Sequence, residues 1–217
     1  MPAPAAAEAA RYALLRRLAP SMRHHLVVPL QPIGMIYEIM DRRLRAPEPN
    51  YADVQEGAHK INNYARAALA SCLDVITWLA PDEKARTTAA EGLRECLLLV
   101  QTGFTFRGFA LRDELGEAQG EVSRAAFRNV VTGALFQVTD EQAPPAELVL
   151  TGEAAHDALV IRITWTPVKG DPGFSTAPGY RPITRDDLDA LAVADSVAMQ
   201  REDGCLSIRL PWVLASA

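Results

Sequence analysis

Apolar residues step by threes and fours through the first part of the chain. Leu15, Leu18, Met22, Leu26, Pro29, Ile33, Ile36 and Met40 fall on one heptad-like stripe, which predicts a helix from about Ala5 to Leu44. The segment Arg45-Ala46-Pro47-Glu48-Pro49-Asn50 reads as a turn, because its prolines cannot continue a helix. Val54, Ala58, Ile61, Ala65, Leu69, Cys72, Ile76 and Leu79 repeat the stepping and predict a second helix, closed by Pro81-Asp82. Two long striped helices joined by a short turn form an antiparallel hairpin. A lone hairpin leaves half of its stripe in water. Pairing two hairpins into a four-helix bundle covers it, so a homodimer is expected.

The period changes after Pro81. Glu91 to Thr105 reads as a helix and Phe109 to Glu114 as a short strand. Glu121 to Thr139 reads as a helix with Val122, Ala126, Val130, Ala134 and Val138 on one face. Glu147 to Leu150 and Leu159 to Trp165 read as strands, and Pro167 to Pro182, rich in Pro and Gly, as a loop. Asp186 to Gln200 reads as a helix capped by Thr184, and Cys205 to Val213 as a closing strand with Leu206, Ile208 and Leu210 on one face. Helices covering one side of a mixed sheet make an α/β sandwich. The expected fold class is therefore α+β, with a helical hairpin over 1–81 and an α/β sandwich over 82–217.

Composition narrows the setting. The chain has 217 residues, 49% hydrophobic and 23% charged, which suits a globular protein with a sizeable core. A net charge of −5 argues against a nucleic-acid partner held by phosphate contacts. Met1 to Ala10 lacks the basic flank and apolar core of a signal peptide, and no apolar run is long enough to span a bilayer. Cys72, Cys96 and Cys205 lie far apart without metal-ligand spacing and read as reduced core thiols. These features predict a cytoplasmic protein with no membrane partner. The length leads us to expect neither a further upstream domain nor an anchor.

The candidate chemistry lies in Arg23-His24-His25-Leu26-Val27-Val28-Pro29-Leu30-Gln31-Pro32-Ile33. Each proline removes a helical hydrogen bond and presses on the carbonyl four residues back, which is that of His25 for Pro29 and of Val28 for Pro32. A kink is expected beside the histidines. At about 100° per residue, His24 lies two positions from both Met22 and Leu26, nearly opposite the stripe, and should face solvent. Val27, Val28 and Gln31 follow one turn on, with Arg23 beside the histidine. An exposed apolar patch next to an imidazole reads as a docking surface for a protein partner.

This stretch resembles the H-box of histidine kinases. His24 takes the position of the phospho-accepting histidine, and Pro29 and Leu30 take the proline and aliphatic positions. His25 stands at the acidic position, Val27 at the basic one and Val28 at the Thr or Asn position. A similarly relaxed box occurs in the dimeric histidine phosphotransferases of phosphorelays, which resemble kinases but do not use ATP. The order of elements after Pro81 is similar to the ATP-binding domain of the kinases. In that comparison Asn129-Val130-Val131-Thr132-Gly133-Ala134 puts Gly133 where a magnesium-binding asparagine stands in the family. Lys169 takes the place of the adenine-binding aspartate, before Gly170-Asp171-Pro172-Gly173. Thr184-Arg185-Asp186-Asp187-Leu188 replaces the glycine-rich lid.

The resemblance implies a degenerate ATPase-like second domain with no ATP, metal or other cofactor. It also implies a homodimeric histidine phosphotransferase. In it, His24 accepts phosphate from, and donates it to, aspartates of response-regulator receiver domains. The alternative is a catalytically inactive pseudokinase scaffold that binds a response regulator. Other candidates read more plainly. His25 reads as a packing or edge residue without a chemical role, and His59 and His156 as solvated or structural. Asp186, Asp187 and Asp189 read as a charged first helical turn, and Asp171 with Gly173 as loop chemistry.

Overall fold

The computed structural model describes residues 3–116, 118–174 and 180–213, so the middle of the expected Pro167 to Pro182 loop lies outside the described residues. The chain divides into two compact units, Met1–Leu18 with Pro81–Ala217, and Ala19–Ala80. It is an α+β protein with an N-terminal helical region and a mixed five-stranded sheet carrying helices.

The Ala19–Ala80 unit holds the end of α1 (Ala3–Val27), α2 (Gln31–Leu44) and α3 (Tyr51–Leu79). The expected continuous helix is thus interrupted. The Val28 amide still donates to the His24 carbonyl (3.0 Å), but Pro29 has no N–H for the His25 carbonyl. A turn follows, in which the Leu30 amide donates to the Val27 carbonyl (3.0 Å). Pro32 sits in the first turn of α2, where its missing N–H removes no helical bond. Helices α2 and α3 pack antiparallel. Gly57 lets α3 approach Met40, an ion pair joins Arg43 to Asp53 (3.1 Å), and the Asn50 side chain caps α3 by accepting from the Ala52 amide (3.1 Å).

The other unit is built on the sheet order β2-β4-β5-β7-β6. Strand β2 (Phe109–Glu114) runs parallel to β4 (Ala146–Ala154). The pairs of β4 with β5 (Ala158–Pro167), β5 with β7 (Cys205–Pro211) and β7 with β6 (Ala198–Glu202) are antiparallel. Strict alternation decides the buried face. Leu148 and Leu150, Leu159, Ile161 and Ile163, and Leu206, Ile208 and Leu210 are buried, while Arg162 and Arg209 on the other face are exposed. Three helical elements supply the rest of the core. They are α4 (Ala89–Phe106), the run α5 (Arg124–Ala126), π-helix (Phe127–Val131) and α6 (Thr132–Glu141), and α7 (Arg185–Ala194). Phe104 meets Phe136 edge-on with ring centroids 5.2 Å apart.

The opening of α1 belongs to this unit, and Ala7, Ala10, Leu14 and Leu18 are buried. Arg17 forks onto Asp140 with bonds of 2.8 and 2.9 Å. Asp140 also accepts from Arg107 (2.9 Å) and from the Ile183 amide (2.9 Å).

Two further expectations are corrected. The helix expected from Glu121 begins only at Arg124, because Val122–Ser123 (β3) pairs with Arg86–Thr87 (β1) in a two-residue ladder. The Ser123 hydroxyl then caps the helix by accepting from the Ala126 amide (3.3 Å). The helix expected to reach Gln200 stops at Ala194, and Ser196 takes a φ of 56°. The next residues pair as the edge strand β6, returning to β7 through Asp203-Gly204, with Gly204 at a φ of 71°. An Asp-Gly pair between two runs is a hairpin signal, and here it outweighs helical spacing.

Candidate functional site

His24 and His25 form the last turn of α1. His24 is exposed and His25 half-buried, and their ring centroids lie 6.2 Å apart with the planes tilted by 52°. Beyond them the proline break turns the backbone and opens the surface. Val27 is 41% exposed, Val28 46% and Leu30 50%. Arg23 and Gln31 are exposed as well. All five residues singled out in the sequence, Arg23, His24, Val27, Val28 and Gln31, therefore lie accessible at one helix end and the turn after it. Leu30 was assigned only the aliphatic position of the box, yet it enlarges the exposed patch. The signal for it was its place between two prolines, where no helical neighbour covers it.

Several residues singled out in the second unit make local contacts. Gly133 is buried, and a Cβ built on it would meet the Leu191 and Leu188 Cδ1 atoms at 3.1 and 3.3 Å. The α7 leucines thus fill the space beside it. The Asn129 side chain donates to Asp195 (2.9 Å), which also accepts from Arg11 (2.9 Å). Lys169 is exposed, and Asp171 accepts from the Gly173 amide (2.9 Å) as in an Asx turn.

Thr184 and Asp187 form a reciprocal capping box at the start of α7. Hydrogen bonds from Arg181 hold the Asp187 carboxyl down to about 2, against the opposing effect of burial. The acidic turn is accounted for by capping and this ion pair. Glu95 follows the same logic: burial alone would raise its carboxyl, but hydrogen bonds from Arg124 and Arg128 bring it below the usual value.

The remaining candidates are spread out. His59 is exposed and donates through Nδ1 to the Gln55 carbonyl (2.9 Å), and His156 is exposed. Burial pushes the Cys96 thiol up to about 12, which makes it a poor nucleophile. Cys72 is exposed rather than in a core, and Cys205 is half-buried. Among the described residues, no group of three or more His, Cys, Asp or Glu side chains could hold a metal ion. Nor is any helix among them long and apolar enough to cross a membrane.

Solved structures similar to this chain include two histidine kinases and a bacterial phosphotransferase. A histidine kinase from Burkholderia phymatum is 16% identical, covering 94% of this chain and 98% of its own, with a TM-score of 0.44. The Acinetobacter baumannii histidine kinase AdeS is 11% identical over 87% of this chain and 98% of its own, with a TM-score of 0.45. A bacterial phosphotransferase is 14% identical over 91% of this chain and 95% of its own, with a TM-score of 0.38. Likenesses of this size concern the course of the chain and not its chemistry. No family model and no curated protein sequence matches the chain.

Proposed function

We propose that the chain is a cytoplasmic, homodimeric histidine phosphotransferase of a two-component phosphorelay, in which His24 exchanges phosphate with receiver-domain aspartates without using ATP. The observation that carries this reading is the His24 imidazole, exposed at a proline-broken helix end beside Val27, Val28, Leu30 and Gln31. A neutral ring nitrogen there is free to attack the phosphorus of an aspartyl phosphate. The N–P bond forms as the acyl O–P bond breaks, the receiver carboxylate leaves with the electron pair, and the proton on the other ring nitrogen passes to water. The receiver supplies its own metal and acidic pocket. This chain contributes the nucleophile and the docking face, and phosphoryl transfer is mostly positioning and charge neutralisation. Val28 has no side-chain group to hold water, so hydrolysis of the receiver's phosphate is not part of the reading.

Two further observations support its finer parts. Gly133 stands where the resemblance calls for an asparagine, and Leu188 and Leu191 take up the space beside it, which supports independence from ATP. In the single chain, Leu69, Leu73, Ile76 and Leu79 stay between 54 and 61% exposed along one side of α3. A second copy would remove that apolar surface from water.

The test incubates wild type and His24→Ala separately with labelled ATP and with a panel of phosphorylated receivers. Label arriving from a receiver but not from ATP, and lost in His24→Ala, is the expected result. Label from ATP would overturn the ATP-independent reading. Receiver binding without label would favour the pseudokinase scaffold.

A further inference from the structure

We infer that His25 is a positioning residue for the phosphoryl group carried by His24. This inference rests on the phosphotransfer reading proposed above and assigns a role to the residue that occupies the acidic position of the box. An acid there would repel the incoming anion, whereas an imidazole donates a hydrogen bond to it.

The two rings are neighbours, with centroids 6.2 Å apart and planes tilted by 52°. Their burial differs: exposed His24 is free to meet a partner, and His25 beside it is half-buried. Among the residues that follow, Leu26, Val27, Val28, Pro29 and Leu30 bring no side-chain donor, and the next donor in sequence is Gln31. His25 is thus the donor nearest in sequence to His24 on the side towards the proline break. A phosphoryl group bonded to a His24 nitrogen projects its oxygens into the space around that ring, where a His25 N–H reaches one of them.

During transfer the N–P bond to His24 forms and the bond from phosphorus to the leaving group breaks. His25 forms no covalent bond. Its N–H holds one equatorial oxygen while charge spreads over the three.

The experiment uses the full chain and phosphoramidate, a small donor that needs no receiver and releases ammonia as phosphorus passes to the imidazole. Phosphohistidine is followed by 31P NMR and intact mass in wild type, His24→Ala, His25→Ala and His25→Gln. Losing one charge-assisted hydrogen bond is expected to slow the appearance of label in His25→Ala by about tenfold. His25→Gln keeps an N–H donor and is expected to recover most of the rate, which a merely structural loss would not allow. His25→Ala labelled at the wild-type rate, or label on His25 in His24→Ala, would overturn the inference and leave the phosphotransfer reading untouched in the first case. A wild type that takes no label from phosphoramidate or from any receiver would overturn both.

Discussion

Asp140 shows how much one side chain can hold together. Its carboxylate gathers Arg17 from α1, Arg107 from the turn after α4 and the Ile183 amide before α7, all at 2.8–2.9 Å. The Asp140 and Arg17 side chains are each only 7% exposed, so the pair is screened little by water. Burial lowers the Arg107 pKa and the neighbouring Asp140 charge opposes that change. Asp140→Ala would strand two guanidinium groups, and a loss of about 3–5 kcal/mol in chemical denaturation is expected. Nothing in the sequence around Asp140 marks it. Its partners lie 33, 43 and 123 positions away, and only folding brings them together. The exposure of His24 was legible because it depends on neighbours in sequence, two prolines and an apolar stripe. The tilt between the His24 and His25 rings was not, because it depends on how two adjacent side chains turn.

Among the elements, those whose signals are local were read well. The Thr184 cap, the β2 strand Phe109–Glu114 and the α4 helix each rest on a few adjacent residues. Strand β6 was missed because helical spacing was followed past Ala194, although the Asp203-Gly204 pair beyond it signals a hairpin. Dependence on a distant partner explains Gly133, whose missing side chain becomes meaningful only against Leu188 and Leu191 of α7. Replacing it with asparagine would push a polar side chain into that contact. Gly133→Asn is therefore expected to lose about 1–3 kcal/mol in thermal or chemical unfolding. It should gain no binding of labelled ATP in equilibrium dialysis. Stable folding with new ATP binding would show that a nucleotide space survives beside α6.

At the scale of the whole molecule, the α3 stripe bears on the proposed dimer. Leu69, Leu73, Ile76 and Leu79 recur at helical spacing and remain exposed in the single chain. The expected result in sedimentation equilibrium is a dimer for wild type. Leu73→Glu with Ile76→Glu should give a monomer whose far-UV circular dichroism is unchanged, because both side chains face water in the single chain. A double variant that remains dimeric would place the interface elsewhere.

By itself the sequence determined the α+β class, the hairpin, the strands of the sheet centre and the accessibility of His24. Each follows from periodicity and from prolines, which act through neighbours a few residues away. Tertiary structure decided the rest. It filled the space beside Gly133 with α7 and gathered Arg17 and Arg107 on Asp140. Hydrogen bonds and van der Waals contacts between residues far apart in the chain come into being only when the chain has folded, so no local pattern encodes them.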